Sequence, residues 1–165
     1  MKLLHIFIVA LIPVVFTQCY TFKDVSIPQE IQTVRVNIFE NRARYVNPQL
    51  APQLTERLRQ KINNQTRLKQ TEDSDADYDI YCKITNYSVS TSGISNQQSA
   101  SNRLTVNVQI AVKNNKNAKE NIDATAQTQI DFAASLSLQQ AEANLMEDIL
   151  RNLTDEIFNR IFSKW

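Results

Sequence analysis

Along residues 33–39 apolar and polar side chains alternate, with Val34, Val36 and Ile38 on one side and Thr33, Arg35 and Asn37 on the other. A two-residue period of this kind predicts a half-buried strand. The same period returns in Tyr78, Ile80, Cys82 and Ile84, in Leu104 through Val112, and in Ile122 through Phe132. Between the first and second of these runs, Leu50, Leu54, Leu58 and Ile62 recur every fourth residue. That spacing predicts a helix starting at Asn47 and Pro48 and ending near Asn63, with Pro48 and Pro52 tolerated near its start. Residues 66–71 are expected to add a short strand, about 90–101 a polar loop, and 114–121 a turn. Ser137 followed by Gln140 forms a capping box. It opens a final helix of about 26 residues, striped by Leu138, Ala141, Leu145, Ile149, Leu153, Ile157 and Ile161 and widened by Met146, Phe158, Phe162 and Trp165.

The order strand, helix, three strands, helix predicts an α+β fold. Two helices pack on one face of a four-stranded, mostly antiparallel sheet, giving a two-layer sandwich. The first strand, the helix and the second strand make a right-handed crossover if the two strands are parallel neighbours. The small residues Ala124 and Ala126 in the last strand imply close approach of a helix.

Composition narrows the chemistry. The chain has 165 residues and a single glycine, which excludes a glycine-rich phosphate cradle. Its one histidine, His5, lies in the N-terminal apolar run, so the rest of the chain lacks the commonest general base and metal ligand.

That run, Leu3–Phe16, follows Lys2 and is interrupted only by His5 and Pro13. As a helix it would cover about 21 Å, short of the roughly 30 Å of a bilayer's hydrocarbon. A basic start and a short apolar middle predict an export signal over residues 1–18. Cys19 then resembles the acceptor cysteine of the bacterial lipobox, where the thiol takes a diacylglycerol. The preceding Phe16, Thr17 and Gln18 depart from that motif's aliphatic and small residues. Three outcomes stand open for Cys19: lipidation, an ordinary secretory or buried cysteine, or an oxidised bridge to Cys82, and lipidation and the bridge exclude one another. Cys82 sits at an inward strand position, where a free thiol behaves as a small hydrophobe. Residues 19–30 read as a tether and 31–165 as one domain. Removal of residues 1–18 takes only Lys2 from the charged groups and leaves acids and bases balanced, so no nucleic-acid partner is expected.

Asp73, Asp75, Asp77 and Asp79 alternate but lack the glycine and glutamate of a calcium loop, and the expectation is a solvated acidic turn with no metal. No cofactor motif and no nucleophile with an adjacent base is visible, so no enzyme activity is expected. Arg42 and Arg44, at the end of the first strand, and Arg103, at the start of the third, present guanidinium groups suited to phosphate. Surface solvation or ion pairing is the competing role for all three.

Taken in order, "SIP", "VNIFENRA", "VNPQLAPQLTERL", "ITNYSV", "NRLTVNV" and "EDILRNLTDEIFNRIFSKW" resemble the lipopolysaccharide-assembly lipoprotein family, LptE-like, in its Bacteroidota form. The resemblance implies two helices on a four-stranded sheet. It also implies an outer-membrane lipoprotein facing the periplasm, which plugs an LptD-type β-barrel, assists its assembly and helps pass lipopolysaccharide to the outer leaflet. Its partners would be that barrel, lipopolysaccharide and, through the acyl anchor, the membrane. Binding of lipopolysaccharide by basic loop residues belongs to the family picture, while Arg42, Arg44 and Arg103 are candidates on chemistry alone. An independent periplasmic lipid carrier is the alternative, and it would need an enclosed apolar pocket between sheet and helices.

Overall fold

The computed structural model describes residues 27–95 and 98–163, with side chains excepted over 94–100. The expected export signal, Cys19 and most of the tether lie outside the described residues. The elements are β1 (Thr33–Val36), β2 (Glu40–Asn41), α1 (Leu50–Gln65), β3 (Lys69–Gln70), β4 (Tyr78–Ser95), β5 (Gln98–Asn114), a 3₁₀ turn (Ala118–Glu120), β6 (Ile122–Ala133) and α2 (Leu138–Phe162).

The expected α+β sandwich is present, with a sheet of six strands rather than four, since β2 and β3 are two-residue additions. The sheet order is β3-β1-β4-β5-β6, and β2 also pairs with β4. β1 runs parallel to both β3 and β4, while β4, β5 and β6 are antiparallel. The direction is therefore mixed. The β1–α1–β4 unit is the parallel crossover anticipated from the pattern.

α1 contacts β1 and β3, α2 contacts β5 and β6, and the two helices contact each other. Leu50, Leu54, Leu58 and Ile62 are fully buried along α1, as are Ile149, Leu153 and Ile157 along α2. Each such side chain contributes about 1.5–3 kcal/mol of apolar burial. Ser137 caps α2 as expected: its hydroxyl accepts from the Gln140 N–H at 3.3 Å, and the Gln140 side chain accepts from the Ser137 N–H at 3.0 Å. Among the described residues no helix is long and apolar enough to cross a membrane.

Two local expectations are corrected. Ile38, placed inward by alternation, is 73% exposed, while Phe39 is buried. The registers explain it: Val36 sits opposite Ile80 and Glu40 opposite Lys83, so four steps on one side span three on the other. One residue is extra, which is a bulge, and a bulge reverses the facing of the residues beyond it. The Phe39 N–H, turned inward, donates to the Thr55 hydroxyl of α1 at 3.0 Å, and that hydroxyl donates to the Ala51 carbonyl at 2.8 Å.

The second correction concerns residues 90–101, expected as a loop. β4 and β5 instead continue pairing to Ser95 and Gln98. Ser90, Thr91 and Ser92 are exposed and carry no apolar alternation, yet backbone pairing with β5 continues past them. Register shifts at Ile84/Asn86, Thr91/Gly93 and Gly93/Ile94 interrupt the ladder. A Cβ at Gly93 would meet the Ser101 hydroxyl at 2.6 Å, so the chain's one glycine marks a close cross-strand approach.

Candidate functional site

With both helices on one face, the other face of the sheet is lined by the polar half of each alternating pattern. β1 sends out Arg35, and Asn37 comes just after it; β4 sends out Asp79, Tyr81 and Lys83. Arg35 donates to Asp79 at 2.9 Å through Nε and again through its terminal nitrogen, while Asn37 donates at 2.6 Å and the Tyr81 hydroxyl at 2.6 Å. Burial by itself pushes the Asp79 carboxyl up, but the donors Arg35, Tyr81 and Asn37 outweigh it and hold the group below the usual carboxylate range. The hydrogen bond to Asp79 raises the Arg35 guanidinium in return.

Asp77 is held in a related way. It accepts from the backbone N–H groups of Gln32 at 2.7 Å and Thr33 at 3.0 Å, and it pairs with Lys116 at 3.1 Å. Burial again raises its pKa and these donors lower it by more. The expected solvated acidic turn is thus corrected for its last two members: Asp77 and Asp79 are buried carboxylates that pin β1 to β4. The signal available in the sequence was Arg35 at the outward position of the neighbouring strand. Among the described residues no group of three or more His, Cys, Asp or Glu is arranged to hold a metal.

These two groups set an acid limit. Their folded pKa values lie below the unfolded ones, so the unfolded chain takes up protons first as pH falls, and stability present above the ordinary carboxylate range is lost through it and below. Thermal melts are expected to be flat near neutrality and to drop below about pH 4. Asp79→Asn should shrink that acid slope, and an unchanged slope would contradict the assignment.

The three candidate arginines occupy different settings. Arg103 sits opposite Ser90 and Asp131 and makes a two-pronged pair with Asp131, at 2.7 and 3.0 Å. Arg42 pairs with Glu40 at 3.1 Å, both side chains being largely exposed. Arg44 is exposed and has no ion-pair partner among the described residues. The Arg42 N–H donates to the Ile84 carbonyl, and Ser90 lies six residues further along β4, about 20 Å at strand rise. The loop arginines 42 and 44 are therefore neighbours, and Arg103 stands apart on the open face.

Around that loop the structure assembles residues that no local pattern signals. Tyr45 packs against Tyr87 with ring centroids 5.4 Å apart. Both phenols donate to Glu142 of α2, Tyr87 at 2.6 Å and Tyr45 at 3.1 Å. Burial, reinforced by the bond to Glu142, pushes both phenols above their ordinary pKa. Among the described residues Tyr45, Val46 and Val89 are three of the five exposed large hydrophobics, the others being Ile38 and Tyr81. Ile38 and Tyr81 line a solvent-open groove of about 730 Å³ with Asn37, Glu40, Arg59 and Lys83. Cys82 is a free thiol buried on the core side of β4, and burial pushes its pKa up to about 12. It is chemically inert there.

This architecture defines a class: a helix-backed sheet with a polar open face and an apolar, basic loop at one end. The lipopolysaccharide-assembly (LptE) family model matches residues 31–161, and the chain belongs to that family. Among solved structures, hypothetical protein CT253 from Chlamydia trachomatis is similar at 10% identity and TM-score 0.55, over 79% of this chain and 95% of that one. Protein XCC0632 from Xanthomonas campestris is similar at 13% identity and TM-score 0.53, over 81% and 86%. Both show the fold alone. Rare lipoprotein B from Shewanella oneidensis aligns at 15% identity over 78% and 90%, with a TM-score of 0.42. Among proteins of curated function, none matches.

Proposed function

We propose that this chain is a non-enzymatic lipoprotein subunit of the lipopolysaccharide-assembly machinery, anchored through an acylated Cys19 in the outer membrane and facing the periplasm. It partners and plugs an LptD-type β-barrel, assists that barrel's assembly and helps pass lipopolysaccharide to the outer leaflet. The observation that carries the reading is the family match across residues 31–161. The open sheet face supports it: Asn, Gln, Ser and Thr side chains there suit a water-lined barrel interior. Arg42 and Arg44, with Arg103 as a separate contact, supply guanidinium groups for the phosphates of lipopolysaccharide.

The independent lipid carrier draws no support from the interior. The space between sheet and helices is filled by Val106, Val108, Ile110, Leu54, Leu153 and the rest of one buried cluster, and the groove of about 730 Å³ is open and rimmed by charged groups.

Depleting the protein in its host tests the reading. Surface lipopolysaccharide is expected to fall, and the barrel partner to accumulate in an immature form distinguishable by its mobility in unheated gels. Normal barrel maturation and normal surface lipopolysaccharide under full depletion would reject it.

A further inference from the structure

The loop between β2 and α1 carries Arg42 and Arg44 together with the exposed Tyr45 and Val46. Apolar side chains held in water beside an unpaired guanidinium are costly unless something covers them, and a surface both apolar and cationic fits an anionic amphiphile. A free loop of this kind would sample many conformations, and only a fraction would bind, which lowers the apparent affinity by that fraction. Here one buried group restrains it. Glu142, 7% exposed, receives the hydroxyls of Tyr45, 97 positions away in sequence, and Tyr87, 55 positions away. The Tyr45 ring rests on Tyr87, and Val89 is the next residue on that face of β4. Three elements, the loop, β4 and α2, therefore meet at a single carboxylate.

We propose that Glu142 is a positioning residue: through Tyr45 and Tyr87 it locks the Arg42–Val46 loop so that Arg44, Tyr45, Val46 and Val89 form one preorganised surface for the phosphorylated, acylated end of lipopolysaccharide. This rests on the lipopolysaccharide-binding reading above and adds to it the apolar residues and the latch that holds them. Glu142 does not touch the ligand; it acts through the two phenols. Two hydrogen bonds to a buried carboxylate are strong enough to matter, because charge-assisted bonds exceed neutral ones.

The test uses the full-length lipoprotein in detergent and purified lipopolysaccharide as the probe, with affinity and melting temperature read separately. Glu142→Ala is expected to weaken binding about tenfold, and Glu142→Gln, which keeps an acceptor oxygen, to recover part of the loss. Should Glu142→Ala fail to fold, the Tyr45→Phe/Tyr87→Phe pair carries the test, since it removes only two hydroxyls and is expected to weaken binding to a similar degree. Val46→Ser should weaken binding with the melting temperature unchanged. Wild-type affinity in both Glu142→Gln and the double phenylalanine variant, alongside weak binding by Arg44→Glu, would overturn the latch alone. Wild-type affinity in Arg42→Glu/Arg44→Glu would overturn the underlying lipopolysaccharide reading.

Discussion

Leu153→Ala is expected to destabilise the protein by about 3–4 kcal/mol, within the span measured for truncating fully buried leucines. For a chain of this length that corresponds to a melting temperature lower by roughly 6–16 °C. Leu153 is fully buried in the middle of α2, between Ile149 and Leu150 on one turn and Ile157 on the next. α2 touches both α1 and the sheet, so a hole here loosens the contact that joins the two layers. Arg151, two residues earlier, is exposed, and Arg151→Ala serves as the control expected to stay within about 0.5 kcal/mol. Calorimetry or denaturant titration decides between them. A Leu153→Ala cost below about 1 kcal/mol would mean that Leu153 does not hold α2 to α1 and the sheet.

In cells depleted of the barrel partner, where only the lipid holds the protein at the membrane, Cys19→Ala is expected to release it altogether. Two acyl chains on one cysteine give stable anchoring where a single chain gives only marginal, reversible binding, and no helix among the described residues offers a substitute span. Fractionation should move the variant from the membrane pellet to the soluble periplasmic extract. Mass spectrometry of the wild-type protein should find an N-terminal Cys19 carrying the lipid. Unchanged partitioning of the variant in those barrel-depleted cells would rule out the lipid anchor and leave the fold untouched.

One physical division separates the features the chain displays locally from those it conceals. The α1 and α2 stripes were legible because each apolar residue repeats at helical spacing against one continuous core, and the capping box at Ser137 and Gln140 is a contact over three residues. The alternation of β5 and β6 was legible for the same reason. Ile38 was not, because a single extra residue between Val36 and Glu40 inverts a two-residue period without altering the letters that spell it. The distal half of the β4–β5 hairpin is not legible because Ser90, Thr91 and Ser92 face solvent and carry no apolar signal. Asp77 and Asp79 looked like solvent-facing acids because their partners, Arg35, Lys116 and two backbone amides, come from distant parts of the chain. The Glu142 junction lies furthest from view: its two phenols approach from different elements, and only tertiary packing brings them together. Arg42 and Arg44 were identifiable as neighbours from the sequence, whereas the separation of Arg103 from them depends on how β2 and β5 register on β4.

Purification of the C-terminally tagged protein from outer membrane in mild detergent is the measurement closest to the central claim. One large β-barrel protein is expected to co-elute in a fixed one-to-one ratio, with the tagged chain protected from protease until the barrel is unfolded by heat. Recovery of the tagged chain as a free, protease-accessible monomer, with the barrel absent from the eluate, would contradict that claim.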